Sequence, residues 1–118
     1  MEVPNYEPLR NFESLEVLQS WLNVNGGVVY VIPMNGVVDF SNPDDSNDCD
    51  DQAKRLQDKA INDGYNLSLQ VVDSDGFLMG KQVNKGGLPH MGNLAIIGNN
   101  IYYVDGINKQ VTWISYVD

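Results

Sequence analysis

The sequence feature that most constrains the fold is a change of hydrophobic period about halfway along the chain. In the segments 11–24 and 49–62 apolar residues recur at three- and four-residue steps, and after residue 65 they alternate or form short β-branched runs. The first period is typical of amphipathic helices, and the second is typical of strands. Helices followed by a meander of strands predict an α+β fold.

Two segments have the helical period. The first runs from Asn11 to Val24 with Asn11 as its N-cap. The second runs from Cys49 to Asn62, with Asn47 or Asp48 as its cap and Gly64 after its end. Their apolar stripes consist of Phe12, Leu15, Leu18, Trp21 and Leu22, and of Cys49, Ala53, Leu56 and Ala60. We therefore expect two N-terminal helices, each with one face turned to a core.

The remaining apolar runs predict strands. A β-branched run at 28–32 precedes a turn-rich polar stretch at 39–48, and alternation resumes at 66–73 with Leu67, Leu69 and Val71. After the Gly-rich connector 85–89, further strands are predicted at 90–97, 101–105 and 110–117. At 118 residues the chain predicts one domain, 1–118, in which the helices pack on a curved antiparallel sheet of four or five strands.

The charge excludes several classes of partner. Sixteen acidic and seven basic residues give a net charge of -9, whereas binding to nucleic acid or to an anionic membrane needs clustered Lys and Arg. No apolar run approaches the roughly 18 to 20 residues of a membrane span. The N-terminus lacks a basic region followed by an apolar run, so we expect a soluble protein without a signal peptide, cytoplasmic by default.

The chain has one cysteine and one histidine, which excludes an intrachain disulfide and a Cys-rich zinc site. Taken singly, Cys49 is typical of a small buried apolar residue, His90 of a surface or core residue, and Asp105 of an Asp-Gly turn. Together they lie at a helix start, a strand start and the end of the next strand. Cysteine catalysis needs a thiolate, an imidazole and an orienting carboxylate, and a helix N-terminus stabilises the thiolate.

The segments around these residues carry a family resemblance. Asp48-Cys49-Asp50-Asp51-Gln52-Ala53, followed by Gly64-Tyr65 and a strand, resembles the nucleophile helix of the transglutaminase-like superfamily. His90-Met91-Gly92-Asn93-Leu94-Ala95-Ile96-Ile97 is similar to its His-bearing strand, and Ile101-Tyr102-Tyr103-Val104-Asp105 to its strand ending in Asp. Many members have Trp where this chain has Gly92 and Pro where it has Gly106. The resemblance spans about residues 15–118 and implies a papain-like core.

The resemblance implies a cysteine peptidase, amidase or acyltransferase with Cys49, His90 and Asp105 as its triad. Cys49 would attack an amide carbonyl, His90 would protonate the leaving amine, and Asp105 would orient His90. The backbone N–H of Cys49 and a side-chain amide, from Asn42 or Asn47, would form the oxyanion hole. The substrate would be a protein, a peptide or a small amide, and hydrolysis is favoured because so short a chain has little surface for two protein substrates.

Two alternatives stay open. The first is a non-catalytic binding module that keeps the fold without the chemistry, in agreement with glycine at position 92. The second is a calcium-responsive protein, because oxygen-rich clusters such as the acids between residues 44 and 51 suit a hard cation. Some transglutaminase-like peptidases bind calcium through acids beside the cysteine, which makes Asp48 and Asp50 the candidate ligands. No other cofactor is predicted.

Overall fold

The computed structural model describes residues 8–27, 49–87 and 89–117. In these ranges the helices are α1 (Leu15–Asn25) and α2 (Cys49–Asn62). The strands are β1 (Ser68–Val72), β2 (Phe77–Leu78), β3 (Lys81–Gln82), β4 (His90–Ile97), β5 (Asn100–Asp105) and β6 (Gln110–Tyr116). The predicted α+β class is confirmed. The predicted strand at 28–32 and the polar stretch at 39–48 lie outside the described residues.

Four strands form one antiparallel sheet in the order β1-β4-β5-β6. A two-residue turn at 98–99, with Gly98 in the left-handed region, joins β4 to β5. The hairpin of β2 and β3 is a separate two-stranded sheet that the sequence analysis did not predict. Its strands have two residues each, which is too short to show an alternation.

The first helix begins later than predicted. Ser14, not Asn11, is the N-cap, and its Oγ accepts the N–H of Val17 at 3.1 Å. Phe12 fits the helical period but precedes the helix, where its ring stacks on Tyr65 with centroids 4.1 Å apart. The predicted start was wrong because Phe12 is buried by an aromatic contact outside the helix.

The second helix has the predicted bounds, and its stripe packs on one face of the sheet. Ala53, Leu56 and Ala60 are buried. The core on this face joins Leu56 and Ala60 to Phe12, Leu18, Leu22, Leu67, Ala95 and Val104. Each fully buried large side chain contributes about 1.5–3 kcal/mol through removal from water. No helix in the described ranges is long and apolar enough to cross a membrane.

The opposite face of the sheet has a second core of Val72, Val83, Tyr103 and Ile114. Leu78 of the β2–β3 hairpin packs against it. The alternation predicted for β1 is therefore only partly correct. It would bury Val71, but Val71 is 54% exposed, whereas its neighbour Val72 is 0% exposed. The hairpin that covers Val72 was not predicted, so this burial could not be predicted either.

Gly92 leaves room for the Tyr103 ring on this second face. A Cβ at position 92 would overlap the phenol of Tyr103. The β1–β4 pairing is regular through Gly92. The register shift of this sheet lies between Ile101 and Tyr102, where β5 pairs with β6. The small residue at 92 is thus explained by the packing of Tyr103.

We expect Gly92→Ala to lower the free energy of unfolding by about 1–3 kcal/mol, because the added methyl group overpacks this contact. Chemical denaturation measures the change. Combining it with Tyr103→Leu should cost less than the sum of the single changes, since the smaller side chain removes the clash. Strict additivity in the double mutant would contradict this account.

Asp63 connects the two helices. Its Oδ2 accepts the indole N–H of Trp21 at 2.8 Å, and its Oδ1 accepts the Lys59 ammonium at 3.1 Å. The Trp21 hydrogen bond first, and then the Lys59 bond, hold the pKa of the Asp63 carboxyl below its ordinary 3.8. A carboxyl whose pKa is lowered in the folded state stabilises the protein at pH values above its ordinary pKa. This stabilisation is lost as the pH falls through the pKa of the folded state.

The midpoint of thermal unfolding should therefore fall more steeply between about pH 5 and 2 in the wild-type protein than in Asp63→Asn, which cannot titrate there. Asp58→Asn is the matched control, because Asp58 is exposed on α2, which ends just before Asp63, and its carboxylate has no hydrogen bond within the described ranges. Parallel curves for the wild-type protein and Asp63→Asn would show that Asp63 does not contribute this pH dependence.

Candidate functional site

A cavity of about 700 Å³ lies where the start of β4, the end of β5 and the 83–87 loop meet. Its polar lining consists of Asn84, Lys85, His90, Asp105, Asn108 and Gln110. Ligand sites of folded proteins commonly have volumes of about 300–1,000 Å³ and a few convergent polar groups. The cavity therefore has the size and chemistry of a site for a small molecule or a peptide segment.

Two of the three predicted catalytic residues, His90 and Asp105, line this cavity. The β4–β5 register pairs Asn93 with Val104, and its continuation places Asp105 opposite Gly92 and His90 two residues further along. Strand alternation puts both side chains on the same face of the sheet. The sequence predicted the two residues from separate motifs, and the antiparallel pairing brings them to one site.

The Asp105 carboxylate also holds the β5–β6 turn. Asp105 is 4% exposed. Its Oδ1 accepts the backbone N–H groups of Ile107 at 3.1 Å and Asn108 at 3.2 Å, and its Oδ2 accepts the Asn108 side-chain amide at 3.0 Å. Three donors thus satisfy a buried carboxylate that would otherwise be costly. In the described part of the chain no hydrogen bond joins Asp105 to His90, so its predicted orienting role stays a prediction.

Cys49 begins α2 as predicted, but its side chain lies outside the described residues. The same holds for Asn42, Asn47 and Asp48, and for the side chain of Asp50. The catalytic role of Cys49, the amide contribution to an oxyanion hole and the calcium ligands therefore stay predictions. Among the described residues, no three His, Cys, Asp or Glu side chains are grouped so that they could hold a metal ion.

The strand that carries His90 also contacts α2, through its other face. Asn93 is 0% exposed and donates its Nδ2 to the carbonyl of Ala53 at 3.0 Å. Asn93 and Ala95 thus face α2, and alternation turns His90 to the opposite face. Because Cys49 begins α2, a contact between its thiol and the His90 imidazole would have to be made past the end of the sheet at which β4 begins.

The residue after Asp105 packs against the first turns of α2. A Cβ on Gly106 would overlap Leu56, so a proline at this position would overlap it too. The carbonyl of Gly106 accepts the N–H of Gly27 at 2.7 Å, and Gln52, buried in α2, donates its amide to the carbonyl of Gly27. The turn that carries Asp105 is thereby tied to the beginning of α2 and to the end of α1.

The loop 83–87 forms a wall of the cavity, and only its residues 85–87 were predicted, as part of the Gly-rich connector 85–89. It is joined to the turn at 74–76 by hydrogen bonds from the N–H of Val83 to the carbonyl of Gly76 at 2.8 Å and from that of Gly87 to Ser74 at 2.6 Å. Its polar residues Asn84 and Lys85 are candidate site residues that the sequence analysis missed. The signal that was available is a Gly-rich loop ending beside the only histidine.

Comparison with family models, with curated proteins and with solved structures finds no match to this chain. The resemblance to the transglutaminase-like superfamily therefore rests on the sequence motifs around Cys49, His90 and Asp105.

Proposed function

We propose that the protein is a cysteine-dependent hydrolase or acyltransferase with a transglutaminase-like, papain-like core. It would act on an amide or peptide bond through a thioester on Cys49, with His90 and Asp105 completing the triad. The observation that carries the proposal is the shared cavity of His90 and Asp105. Gly106, the residue after Asp105, packs in addition on the helix that begins at Cys49.

The proposed mechanism assigns one task to each residue. The N-terminus of α2 and the His90 imidazolium stabilise the Cys49 thiolate, which attacks the carbonyl carbon. His90 then gives its proton to the leaving amine. An ionised carboxylate has about four acceptor positions, and Asp105 uses three of them in the turn, so one remains for the imidazole N–H.

Water then resolves the thioester and gives hydrolysis, whereas an amine would give transamidation. Hydrolysis is the favoured outcome, because one cavity of about 700 Å³ holds a peptide segment or a small amide rather than two protein substrates. The substrate of this proposal is therefore a single amide that reaches the cavity from solvent.

The second candidate is a binding module that keeps the cavity without the chemistry. It is favoured by the orientation of His90 away from α2 and by the use of the Asp105 carboxylate in the turn. In that case Cys49 would be an ordinary thiol. The two candidates therefore differ in the reactivity of a single atom.

The chain has one cysteine, so whole-protein mass spectrometry of iodoacetamide-treated samples reports Cys49 alone. An active site gives an apparent thiol pKa well below the usual value of about 8.5, and His90→Gln raises it towards that value. Unfolded wild-type protein serves as the control, because it contains the same thiol without the site. If the folded wild-type protein titrates like the unfolded control, the enzymatic proposal is wrong and the binding module remains.

Asp105 is expected to serve both the turn and the site. Asp105→Ala should lower the free energy of unfolding by about 1–3 kcal/mol, because two backbone N–H groups lose their acceptor, and should also raise the apparent pKa of the thiol. Asn108→Ala is the matched control: it removes one turn hydrogen bond but keeps the Asp105 carboxylate, so it should cost about 0.5–1.5 kcal/mol and shift the thiol profile less than Asp105→Ala does. An Asp105→Ala protein that is folded and keeps the wild-type thiol profile would contradict the catalytic role of Asp105.

A further inference from the structure

The charges that line the cavity differ from those of the whole chain. The net charge is -9, yet Lys85 is the one Lys or Arg among the lining residues of the described cavity, and Asp105 is their one carboxylate. The donors of the β5–β6 turn already use three of the about four acceptor positions of Asp105. The ion pairs of the described residues are Arg10 with Glu13 and Lys59 with Asp63, so Lys85 has no such partner there.

Further side-chain hydrogen-bond donors line the same cavity as Lys85. The Oδ1 of Asn84 accepts the N–H of Gly86 at 2.8 Å, which fixes the amide and leaves its NH₂ group without a partner in the described structure. The side-chain amide of Gln110 and the imidazole of His90 likewise have no hydrogen bond to a described residue. An ammonium group and unpaired amide donors are the complement of a carboxylate, whose oxygens only accept hydrogen bonds.

The wall that carries these donors is held in place by backbone contacts. Gly76 and Gly86 both have φ near +79°, and a Cβ on either would lie within 3.0 Å of the backbone of the facing turn. The loop is thus fixed by two residues that cannot carry side chains without moving it. A preorganised wall loses little conformational entropy when a ligand binds, so its polar groups can discriminate between ligands.

From these observations we infer that the cavity selects a substrate that carries a carboxylate close to the scissile amide, with Lys85 as the specificity-determining residue. This inference rests on the proposed function, since the same cavity would hold the amide. Lys85 pairs with the carboxylate, and Asn84 donates a hydrogen bond to it. The reacting carbonyl then lies on the His90 side of the cavity. The substrate class is an acidic peptide or an amide of a dicarboxylic acid.

The test uses two isosteric probes that differ in charge, N-acetylglutamate α-amide and N-acetylglutamine α-amide. Each is titrated at fixed pH and about 0.1 M salt into the full chain carrying Cys49→Ala, which prevents turnover. The NMR ring signals of His90 report occupation of the cavity without ambiguity, because the chain has one histidine. A partly exposed ion pair contributes up to about a fivefold difference in affinity, so the glutamate probe should bind about fivefold more tightly.

Lys85→Gln should abolish this preference, whereas Lys54→Gln should preserve it. Lys54 is the matched control because it is exposed, lies on α2 outside the cavity lining and carries the same charge. Equal binding of the two probes, no shift of the His90 signals with either probe, or an equal loss in Lys54→Gln and Lys85→Gln would each overturn the inference.

The result of this titration can differ from the result of the thiol-labelling test of the proposed function, because the titration does not involve the thiol. Selective binding of the glutamate probe together with an ordinary Cys49 pKa would support the anion site and contradict the enzyme. A lowered thiol pKa without charge preference would support the enzyme and contradict the anion site.

Discussion

The packing of α2 against β4 is the contact on which the other features of the structure depend. Leu56 and Ala60 lie in one core with Ala95 and Val104, where the alanines let the helix approach the sheet closely. Asn93 adds the hydrogen bond to the Ala53 carbonyl, and its Oδ1 has no partner among the described residues. A buried amide with one unpaired oxygen costs stability. The hydrogen bond from Asn93 thus holds α2 in one position along β4, while the unpaired Oδ1 lowers the stability of the fold.

The same strand separates two environments. One face of β4 meets α2, and the other face meets Tyr103 and the residues next to the β2–β3 hairpin. At the end of β5, successive residues point to opposite faces, so Asp105 reaches the cavity while Gly106 packs on Leu56. A short turn thus links a polar cavity to the helix that begins at Cys49.

The sequence predicted α2 well because one helical period extends over its whole length, with buried Ala53, Leu56 and Ala60 on the expected stripe. The motifs around His90 and Asp105 predicted that the two residues act together, and the antiparallel pairing of β4 with β5 brings both to one cavity. The features that were missed depend on contacts between segments without a period of their own. The hydrogen bonds that join the 83–87 loop to the 74–76 turn are such contacts. Because they could not be predicted, Lys85 was predicted only as part of a connector.

In the proposed mechanism, the pKa of the Cys49 thiol would depend on its immediate surroundings rather than on the net charge of the chain. Acidic residues beside a thiol raise its pKa, but charges exposed to solvent are screened over about 10 Å at 0.1 M salt. The N-terminus of a helix and a paired imidazolium act at contact distance and lower the pKa. The chain can therefore be strongly acidic and still hold a thiolate, provided that His90 reaches it around the first residue of β4. The hydrogen bond of Asn93 and the packing of Gly106 on Leu56 hold this end of the sheet against α2. Whether His90 can reach Cys49 there would decide between the two proposed functions, an enzyme and a binding module.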